Sequence, residues 1–435
     1  MATLAKADFL TAADLAAWQD GRWARQRERV QASPLYCRLW AGRKAPARLA
    51  DLPALPLSDK AMLRASQRAT PPFGDYLAVE PEAIVRIHRT SGTTGEAMNI
   101  ALSAEDAADT ATVGARAQAA AGLGPGHRVV HCLNYQLWMG GFTDHTTLEA
   151  TGAAVIPFGV GNSEKLVQTI RELGITAISC TPSYPAVLER TIATQFPGLQ
   201  PRDLGLRLGL FGGEAGLDGP AFRGRLESIW GFKARNANYG VSDVFCNFAG
   251  QCEQQTDLHF MGLDVLRPEL IEPESGDVLP WREGATGELV LTHLERACQP
   301  LARFRTGDIV ELTGLGRCAC GRHAPRFRVI GRSDDMVVVR GLNVFPTAVA
   351  AALGSFAELS AEYRIRLVGG GPYDALPVEA ELAIGQVISA GLADAIVARI
   401  KREIGATARV TLLPPGSLPR TEGKTRRVVR EGGSS

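Results

Sequence analysis

Short apolar segments alternate with helical segments in the middle of the chain, and this alternation constrains the fold more than any other feature. The predicted strands are residues 128–133, 153–157, 175–180 and 206–211, and the predicted helices among them include residues 163–173 and 185–196. Strand and helix repeats of this length form a parallel sheet that is covered by helices. The sequence therefore predicts an α/β fold whose ligands bind at the carboxyl ends of the strands. Two further helical segments are expected, at residues 12–43 and 101–122.

Composition excludes several classes of protein. The 435 residues are 45% hydrophobic and carry a net charge of +1, so nothing indicates a nucleic acid partner. The chain shows no apolar run of about 18 residues and no hydrophobic signal core near Met1. We expect a cytoplasmic protein that does not bind membranes and whose eight cysteines are reduced.

A loop rich in glycine and threonine follows the apolar residues 83–87. It reads Thr90-Ser91-Gly92-Thr93-Thr94-Gly95-Glu96. Glycine lets backbone N–H groups approach an anion and the hydroxyl groups add donors, so the loop is suited to hold phosphate. It lacks the lysine and the spacing of a Walker A loop. A surface turn could have the same composition.

Further motifs lie at predicted strand ends and near the C-terminus. In chain order they are Gly212-Gly213-Glu214, Asn238-Tyr239-Gly240-Val241-Ser242-Asp243, residues 300–308, residues 331–346, and Gly423-Lys424. In this order they resemble the motifs of the adenylate-forming superfamily. Residues 85–89, 181–184 and 334–346 resemble its phenylacetate-CoA ligase family, and the resemblance runs from about residue 23 to residue 429.

The resemblance implies an adenylate-forming fold with two domains. Residues 1–333 would form a large domain of mixed and parallel sheets with helices, and residues 334–435 a small mobile α+β domain, with a hinge at Asp334. It also implies a reaction. An aryl carboxylic acid would react with ATP to give acyl-AMP and pyrophosphate, and the acyl group would pass to CoA.

The resemblance also assigns roles to single residues. Tyr239 would stack on adenine, Asp308 would accept hydrogen bonds from both ribose hydroxyls, and Lys424 would contact the acyl-phosphate oxygens. Asp243 replaces a glutamate of the family that holds Mg2+, and Glu96 stands where lysine is usual. The expected ATP or AMP residues are Thr90, Ser91, Gly92, Thr93, Thr94, Gly95, Gly213, Glu214, Asn238, Tyr239, Gly240, Ser242, Asp308 and Arg332.

Residues 134–141 align with a family segment that lines the aryl pocket. The expected pocket residues are Tyr135, Gln136, Trp138, Gly140, Gly141, Pro182, Gly212 and Gly213. Gln136 and Trp138 would shorten the pocket and add hydrogen-bond donors, whereas Gly213 would widen it. We therefore hypothesise a benzoate with amino or hydroxyl groups rather than plain phenylacetate. Alternatively, these side chains only repack the wall.

Four residues are candidate zinc ligands. Cys252, His259, Cys318 and Cys320 supply the soft and borderline atoms that tetrahedral Zn2+ prefers, which indicates a structural metal. The spacing Cys-x-Cys is tighter than usual, so reduced, unpaired cysteines are the alternative, with Cys246 and His323 as reserve ligands. Family members carry a similar arrangement, which favours zinc.

Other functions stay open at this point. An acyl-AMP ligase could pass the aryl group to an amine, a hydroxyl or a carrier thiol, because a CoA site has no short motif. A non-catalytic nucleotide-binding relative would explain Glu96 and Asp243. A zinc-organised binding module would leave the motifs outside residues 252–320 unexplained. A homodimer is compatible with the sequence but is not indicated by it.

Overall fold

The structure is a computed structural model, and it describes residues 6–90, 97–214, 217–369, 373–419 and 426–431. Within these ranges the helices are α1 (Ala12–Ala32), α2 (Pro34–Leu39), α3 (Lys60–Ala69), α4 (Ala104–Ala120), α5 (Met139–Glu149), α6 (Ser163–Glu172), α7 (Tyr184–Gln195), α8 (Pro220–Trp230), α9 (Pro346–Leu353) and α10 (Ala390–Ile404). Short 3-10 helices occupy Lys6–Phe9, Leu49–Ala54, Pro81–Ala83 and Pro201–Leu204.

The strands are β1 (Ile84–Arg89), β2 (Asn99–Ser103), β3 (Arg128–His131), β4 (Ala154–Pro157), β5 (Ala177–Cys180), β6 (Leu208–Gly212), β7 (Lys233–Val241), β8 (Phe245–Gln251), β9 (Leu258–Phe260), β10 (Leu266–Ile271), β11 (Val278–Leu279), β12 (Thr286–His293), β13 (Phe304–Gly314), β14 (Arg326–Arg332), β15 (Val337–Val339), β16 (Leu342–Val344), β17 (Leu359–Val368), β18 (Leu376–Leu382), β19 (Ala408–Leu413) and β20 (Val428–Glu431).

One large sheet dominates the described ranges. Its strand order is β11-β10-β12-β13-β14-β9-β8-β7-β6-β5-β3-β4. The strands from β4 to β7 pair in parallel, and those from β7 to β11 pair antiparallel. The predicted α/β fold with mixed and parallel sheets is therefore confirmed.

The parallel half is covered on both faces, which explains its continuous apolar sequence. Strands β5 and β6 are buried along their whole length, as expected for strands between two helical layers. Val130 and Ile178 pack in one core with side chains of α6 and α7. Their neighbours Val129 and Ala177 pack in another core with Leu148 of α5, because successive strand residues point to opposite faces.

Helix α4 begins later than the sequence predicts. Residues 101–103, expected to be helical, end strand β2, and Ser103 then caps α4. The Ser103 hydroxyl accepts from the backbone N–H of Asp106, and the Asp106 carboxylate accepts from the backbone N–H of Ser103. This reciprocal capping box fixes the first helical residue at Ala104.

The C-terminal residues pack around a separate core. Sheet β19-β18-β17-β20, hairpin β15–β16, and helices α9 and α10 enclose the buried side chains from Val337 to Val428. The predicted domain boundary at Asp334 lies in the turn between β14 and β15. Arg225 of α8 reaches across, and its Nη1 donates to the Leu359 carbonyl at 3.1 Å. Among the described helices, none combines the length and the apolar character needed to cross a bilayer.

Candidate active site

Strand β6 ends at Gly212, which is paired with Asn238 near the carboxyl end of β7. A side chain at Gly212 would come within 2.4 Å of the Asn238 carbonyl oxygen, so only glycine allows this approach. Gly213 follows with φ +80°, a backbone conformation that glycine adopts without strain. The sequence placed both motifs at these strand ends, and the structure brings them together there.

Tyr239 and Arg332 hold Asp308 between them. The Tyr239 hydroxyl donates to Asp308 Oδ2 at 2.7 Å, and Arg332 Nη1 donates to Asp308 Oδ1 at 2.6 Å. Burial raises the pKa of the Tyr239 phenol well above its ordinary value, so the phenol stays protonated and remains a donor. The rings of Phe248 and Phe327 both make T-shaped contacts with its ring, each with centroids 5.3 Å apart. The Asp308 carboxylate is therefore fixed in position.

Arg332 also reaches the predicted hinge. Its Nε donates to Asp334 Oδ1 at 2.8 Å, while its Nη1 binds Asp308. The Arg332 guanidinium therefore joins Asp308, which is predicted to bind the ribose, to Asp334, the predicted hinge residue. Planar guanidinium groups suit such double recognition because their N–H donors point in fixed directions.

Asp243 forms an ion pair that the sequence analysis did not predict. Lys60 Nζ lies 2.9 Å from Asp243 Oδ2, and the Asp243 side chain is only 5% exposed. Asp243 Oδ1 is buried and has no hydrogen-bond partner among the described residues. Lys60 is the first residue of α3, where a cation is unfavourable next to the positive end of the helix dipole. That unusual placement is the one sequence signal that could have identified it.

Thr90 closes the base of the glycine- and threonine-rich loop. Its backbone N–H donates to the Met98 carbonyl at 2.9 Å, and its hydroxyl accepts from the Met98 N–H at 3.0 Å. The loop residues Ser91, Gly92, Thr93, Thr94, Gly95 and Glu96 lie outside the described residues, and so does Lys424.

His88 links this loop base to α5, and the sequence analysis also missed it. Its Nδ1 lies 3.3 Å from the Leu137 carbonyl, which can only accept, so Nε2 accepts from the Thr143 hydroxyl at 2.9 Å. Burial lowers the pKa of His88 to about 4, so the ring is neutral near pH 7. The Arg89 N–H donates to the same Leu137 carbonyl at 2.8 Å. The predicted aryl segment is thus hydrogen-bonded through Leu137 to the end of β1, which precedes the predicted phosphate loop.

The predicted pocket residues lie around α5 and the ends of β5 and β6. The Tyr135 hydroxyl and His145 Nδ1 are 2.9 Å apart, and Gly141 allows α5 to approach the Asn134 carbonyl. Trp138 is partly buried, and its backbone forms an isolated parallel β-bridge with Arg89. Gln136 is exposed. Of the other predicted pocket residues, Gly140 lies in α5 and Pro182 is buried. Of the predicted nucleotide-binding residues, Glu214 and Ser242 are partly buried, and Gly240 packs against the Cys246 carbonyl.

Asp144 is a buried carboxyl group in the same helix, and the sequence analysis did not single it out. Its Oδ2 accepts from Asn238 Nδ2 at 2.5 Å. Burial raises the pKa of Asp144 from an ordinary 3.8 to about 7, although contacts with the Cys246 thiol and the Asn238 amide work in the opposite direction. Cys246, a reserve zinc ligand in the sequence analysis, thus lies beside Asp144.

The four predicted zinc ligands converge in the fold. The ligand atoms of Cys252, His259, Cys318 and Cys320 all lie within 4.8 Å of one another. The Cys252 and Cys318 sulfurs are 3.9 Å apart, and the Cys320 sulfur is 3.7 Å from His259 Nε2. Tetrahedral zinc places such atoms about 3.5 to 3.8 Å apart. His259 Nδ1 lies 3.2 Å from the Ala324 carbonyl, which directs Nε2 to the cluster.

Comparison with known proteins identifies the family. A family model described as "AMP-binding enzyme C-terminal domain" matches residues 341–431. The phenylacetate-coenzyme A ligase of Thermus thermophilus is 36% identical over 403 residues, which cover 88% of this chain and 87% of that relative. The chain belongs to the phenylacetate-CoA ligase family. The resemblance seen in the sequence motifs is therefore confirmed.

The fold is also similar to solved structures. The fold of this phenylacetate-CoA ligase family member is similar to that of 2-hydroxyisobutyryl-CoA ligase in the postadenylation state with 2-HIB-AMP. The TM-score is 0.89 at 29% identity, over 98% of this chain and 91% of that one. The same ligase with 2-HIB-AMP and CoA in the thioesterification state gives 0.71 at 30% identity, over the same shares of the two chains.

Proposed function

We propose that this protein is an AMP-forming acid–thiol ligase of the aryl-CoA type. It activates an aryl carboxylic acid with ATP as acyl-AMP, releases pyrophosphate and transfers the acyl group to CoA. One observation carries the proposal: Tyr239, Asp308 and Arg332 form a fixed cluster that runs from the carboxyl end of β7 to the predicted hinge. Family membership and the acyl-AMP complexes of the 2-hydroxyisobutyryl-CoA ligase support the same reaction class.

In the first half-reaction, the carboxylate of the acid attacks the α-phosphorus of ATP and pyrophosphate leaves. Asp308 would accept hydrogen bonds from the two ribose hydroxyls while Tyr239 and Arg332 hold its carboxylate in place. Lys424 would place its ammonium charge at the oxygens between the acid and the phosphate. Glu96 and the loop residues Ser91 to Gly95 would surround or face the triphosphate.

The residues present fit a magnesium ion beside Asp243. Mg2+ prefers carboxylate oxygens, and Asp243 Oδ1 is buried without a hydrogen-bond partner among the described residues. Mg2+ bound there would neutralise charge on the phosphates. Lys60 holds the second oxygen, Oδ2, and so orients the carboxylate.

The residues present also fit a zinc ion held by Cys252, His259, Cys318 and Cys320. Four protein ligands leave no open position, so the zinc would be structural. It would tie the chain around β8 and β9 to residues 318–320, between β13 and β14. The reaction itself would not involve it.

In the second half-reaction, the small domain would rotate about Asp334 and withdraw Lys424, which opens a route for the CoA thiol. The two states of 2-hydroxyisobutyryl-CoA ligase support this proposal, because the chain matches one of them better than the other. The match to the postadenylation state of that ligase has a TM-score of 0.89, against 0.71 for the thioesterification state.

The test is ATP–pyrophosphate exchange with a panel of aryl acids, followed by mass spectrometry of the same reactions with CoA. We expect exchange and a thioester product, and we expect Lys424→Ala to abolish the exchange. Exchange without a thioester would indicate an amine, hydroxyl or carrier-thiol acceptor. No exchange with any acid, or exchange unchanged in Lys424→Ala, would overturn the proposed mechanism and favour a binding protein.

A further inference from the structure

We infer that Asp144 selects aryl acids whose ring carries a hydrogen-bond donor, such as an amino or hydroxyl group, by accepting a hydrogen bond from that group. The inference rests on the proposed function, because it concerns which acid the site activates. It goes further by assigning the selectivity to a residue outside the recognised motifs.

The fold places Asp144 at the ligand-binding edge of the parallel sheet. Its carboxyl group accepts directly from Asn238, and Asn238 is paired with Gly212, the last residue of β6. Ligands in parallel sheets bind at this edge. Asp144 is also one helical turn from Gly140, in the segment predicted to line the aryl pocket.

The Asp144 carboxyl group is short of hydrogen bonds for its degree of burial. The residue is 2% exposed, and a single described donor, Asn238 Nδ2, contacts Oδ2. Oδ1 is buried and has no hydrogen-bond partner among the described residues, although the Cys246 thiol lies next to the carboxyl. Burying an unsatisfied carboxylate is unfavourable, so a donor on a bound ligand would be strongly favoured.

Two glycines leave space next to these groups. A Cβ at Gly140 would lie 3.5 Å from Asp144 Oδ2, so a longer side chain there would cover the carboxyl. Among the described residues, a Cβ at Gly213 would meet only Thr181, at 3.9 Å. Gly213 directly follows Gly212, so this space lies on the same edge of the sheet as the Asp144–Asn238 pair. A substituted ring could occupy it.

A purely structural role for Asp144 makes a different prediction. If the carboxyl only holds Asn238 in place, its removal would weaken activation of every acid by a similar factor. If the carboxyl accepts a hydrogen bond from a ring substituent, its removal would weaken activation only of the acids that carry a donor. Sites built to bind a substrate hydroxyl or amine discriminate strongly against analogues that lack it.

The experiment compares pairs of benzoates that differ by amino or hydroxyl against methyl at the same ring position, with ATP–pyrophosphate exchange as the readout. For the unchanged protein we expect kcat/KM to favour the donor-bearing acid by about 100-fold or more for at least one ring position. Asp144→Leu, which keeps the number and branching of the side-chain heavy atoms, should remove that preference or reverse it. Asp144→Asn retains an acceptor oxygen and should keep part of it.

Asp109→Asn is the matched control, because Asp109 is another carboxyl whose pKa burial raises, to about 6, and it lies in α4 beside Glu295 and Arg22. It should leave the ring preference unchanged. An equal loss for both acids of a pair in Asp144→Leu, or no ring preference in the unchanged protein, would overturn the inference alone. Absence of exchange with every acid would instead overturn the proposed function and this inference with it.

Discussion

A lysine at the first position of a helix opposes the helix dipole, and Lys60 is stable there because it faces a carboxylate. Its Nζ lies 2.9 Å from Asp243 Oδ2. The pair leaves Asp243 oriented before any ligand binds, with Oδ1 free of hydrogen bonds to the described residues. A cation that binds at Oδ1 therefore meets a carboxylate already held in one orientation.

This arrangement predicts how substitutions of Asp243 affect adenylation. Asp243→Asn should lower kcat/KM for ATP–pyrophosphate exchange by about 100-fold and raise the Mg2+ concentration needed, because the amide is a poor ligand for Mg2+. Asp243→Glu restores the residue usual in the family and should stay within about tenfold of the unchanged protein. Magnesium titrations of the exchange rate check this. Equal rates for the Asn and Glu variants would rule out a metal role.

The buried Asp144 predicts a pH-dependent stability difference. Its pKa is about 7 in the folded protein against an ordinary 3.8, so between these values only the folded chain binds the proton. The stability that protonated Asp144 contributes is therefore present below about pH 4 and is lost as the pH rises to 7, by about 1.4 kcal/mol per pH unit.

The Asp144→Asn variant has no group at this position that titrates in this pH range. Its melting temperature relative to the unchanged protein should therefore rise between pH 5 and pH 8, measured without substrate. Asp109→Asn should show the same trend over a narrower range, since burial raises the pKa of Asp109 only to about 6. A difference between variant and unchanged protein that does not vary with pH would contradict the burial of a titrating carboxyl at position 144.

At the scale of elements, the proposed zinc would hold β8 and β9 against the residues between β13 and β14. Cys318→Ser should reduce bound zinc, measured by elemental analysis, from one per chain to a small fraction. It should also lower the melting temperature, because metal binding adds directly to folding free energy. Cys298→Ala, a buried cysteine outside the cluster, should keep the metal. One zinc per chain in Cys318→Ser would refute the assignment.

Strand β14 carries a second prediction, because Arg332 at its end binds both Asp308 and Asp334. Arg332→Gln should raise KM for ATP about tenfold or more, since Asp308 loses a fixed charged partner. Arg328→Gln in the same strand is the control. Arg328 pairs at the surface with Asp257 and Glu311 and should be neutral. Equal effects of the two substitutions would indicate general damage to β14.

The sequence predicted those elements and residues whose signals are local. The apolar segments of β3 to β6 and the motif around Tyr239 could be found because each lies within a few consecutive residues. The four candidate metal ligands could be proposed because their chemistry is distinctive. Lys60 offers only its unusual position at the start of a helix, and Asp144 offers no local signal of this kind. Their significance depends on Asp243 and Asn238, which lie 183 and 94 residues further along the chain.

The same limit explains the error at α4. Residues 101–103 have a helical composition, but pairing with β1 and the Ser103 cap place them in a strand. Propensity over a few residues is weak against tertiary pairing. Gln136, which the family resemblance assigns to the aryl pocket, has an exposed side chain, and its role there stays a prediction.

At the scale of the whole molecule, the proposed rotation of the small domain would link the two half-reactions. The fold matches one state of 2-hydroxyisobutyryl-CoA ligase with a TM-score of 0.89 and another with 0.71, although identity and coverage are nearly the same. Since sequence and coverage hardly differ, the change in score reflects a different arrangement of the same parts. A rotation at the predicted hinge would account for it.

Restricting that rotation should separate the two half-reactions. Asp334→Pro fixes φ at the hinge, and we expect it to keep ATP–pyrophosphate exchange within about tenfold while thioester formation falls about 100-fold or more. Asp334→Ala also loses the ion pair with Arg332 but keeps backbone freedom, so it should retain both activities to a similar degree. Equal losses of thioester formation in the two variants would assign the effect to the ion pair. Equal losses of exchange and thioester formation in Asp334→Pro would place the moving joint elsewhere in the chain.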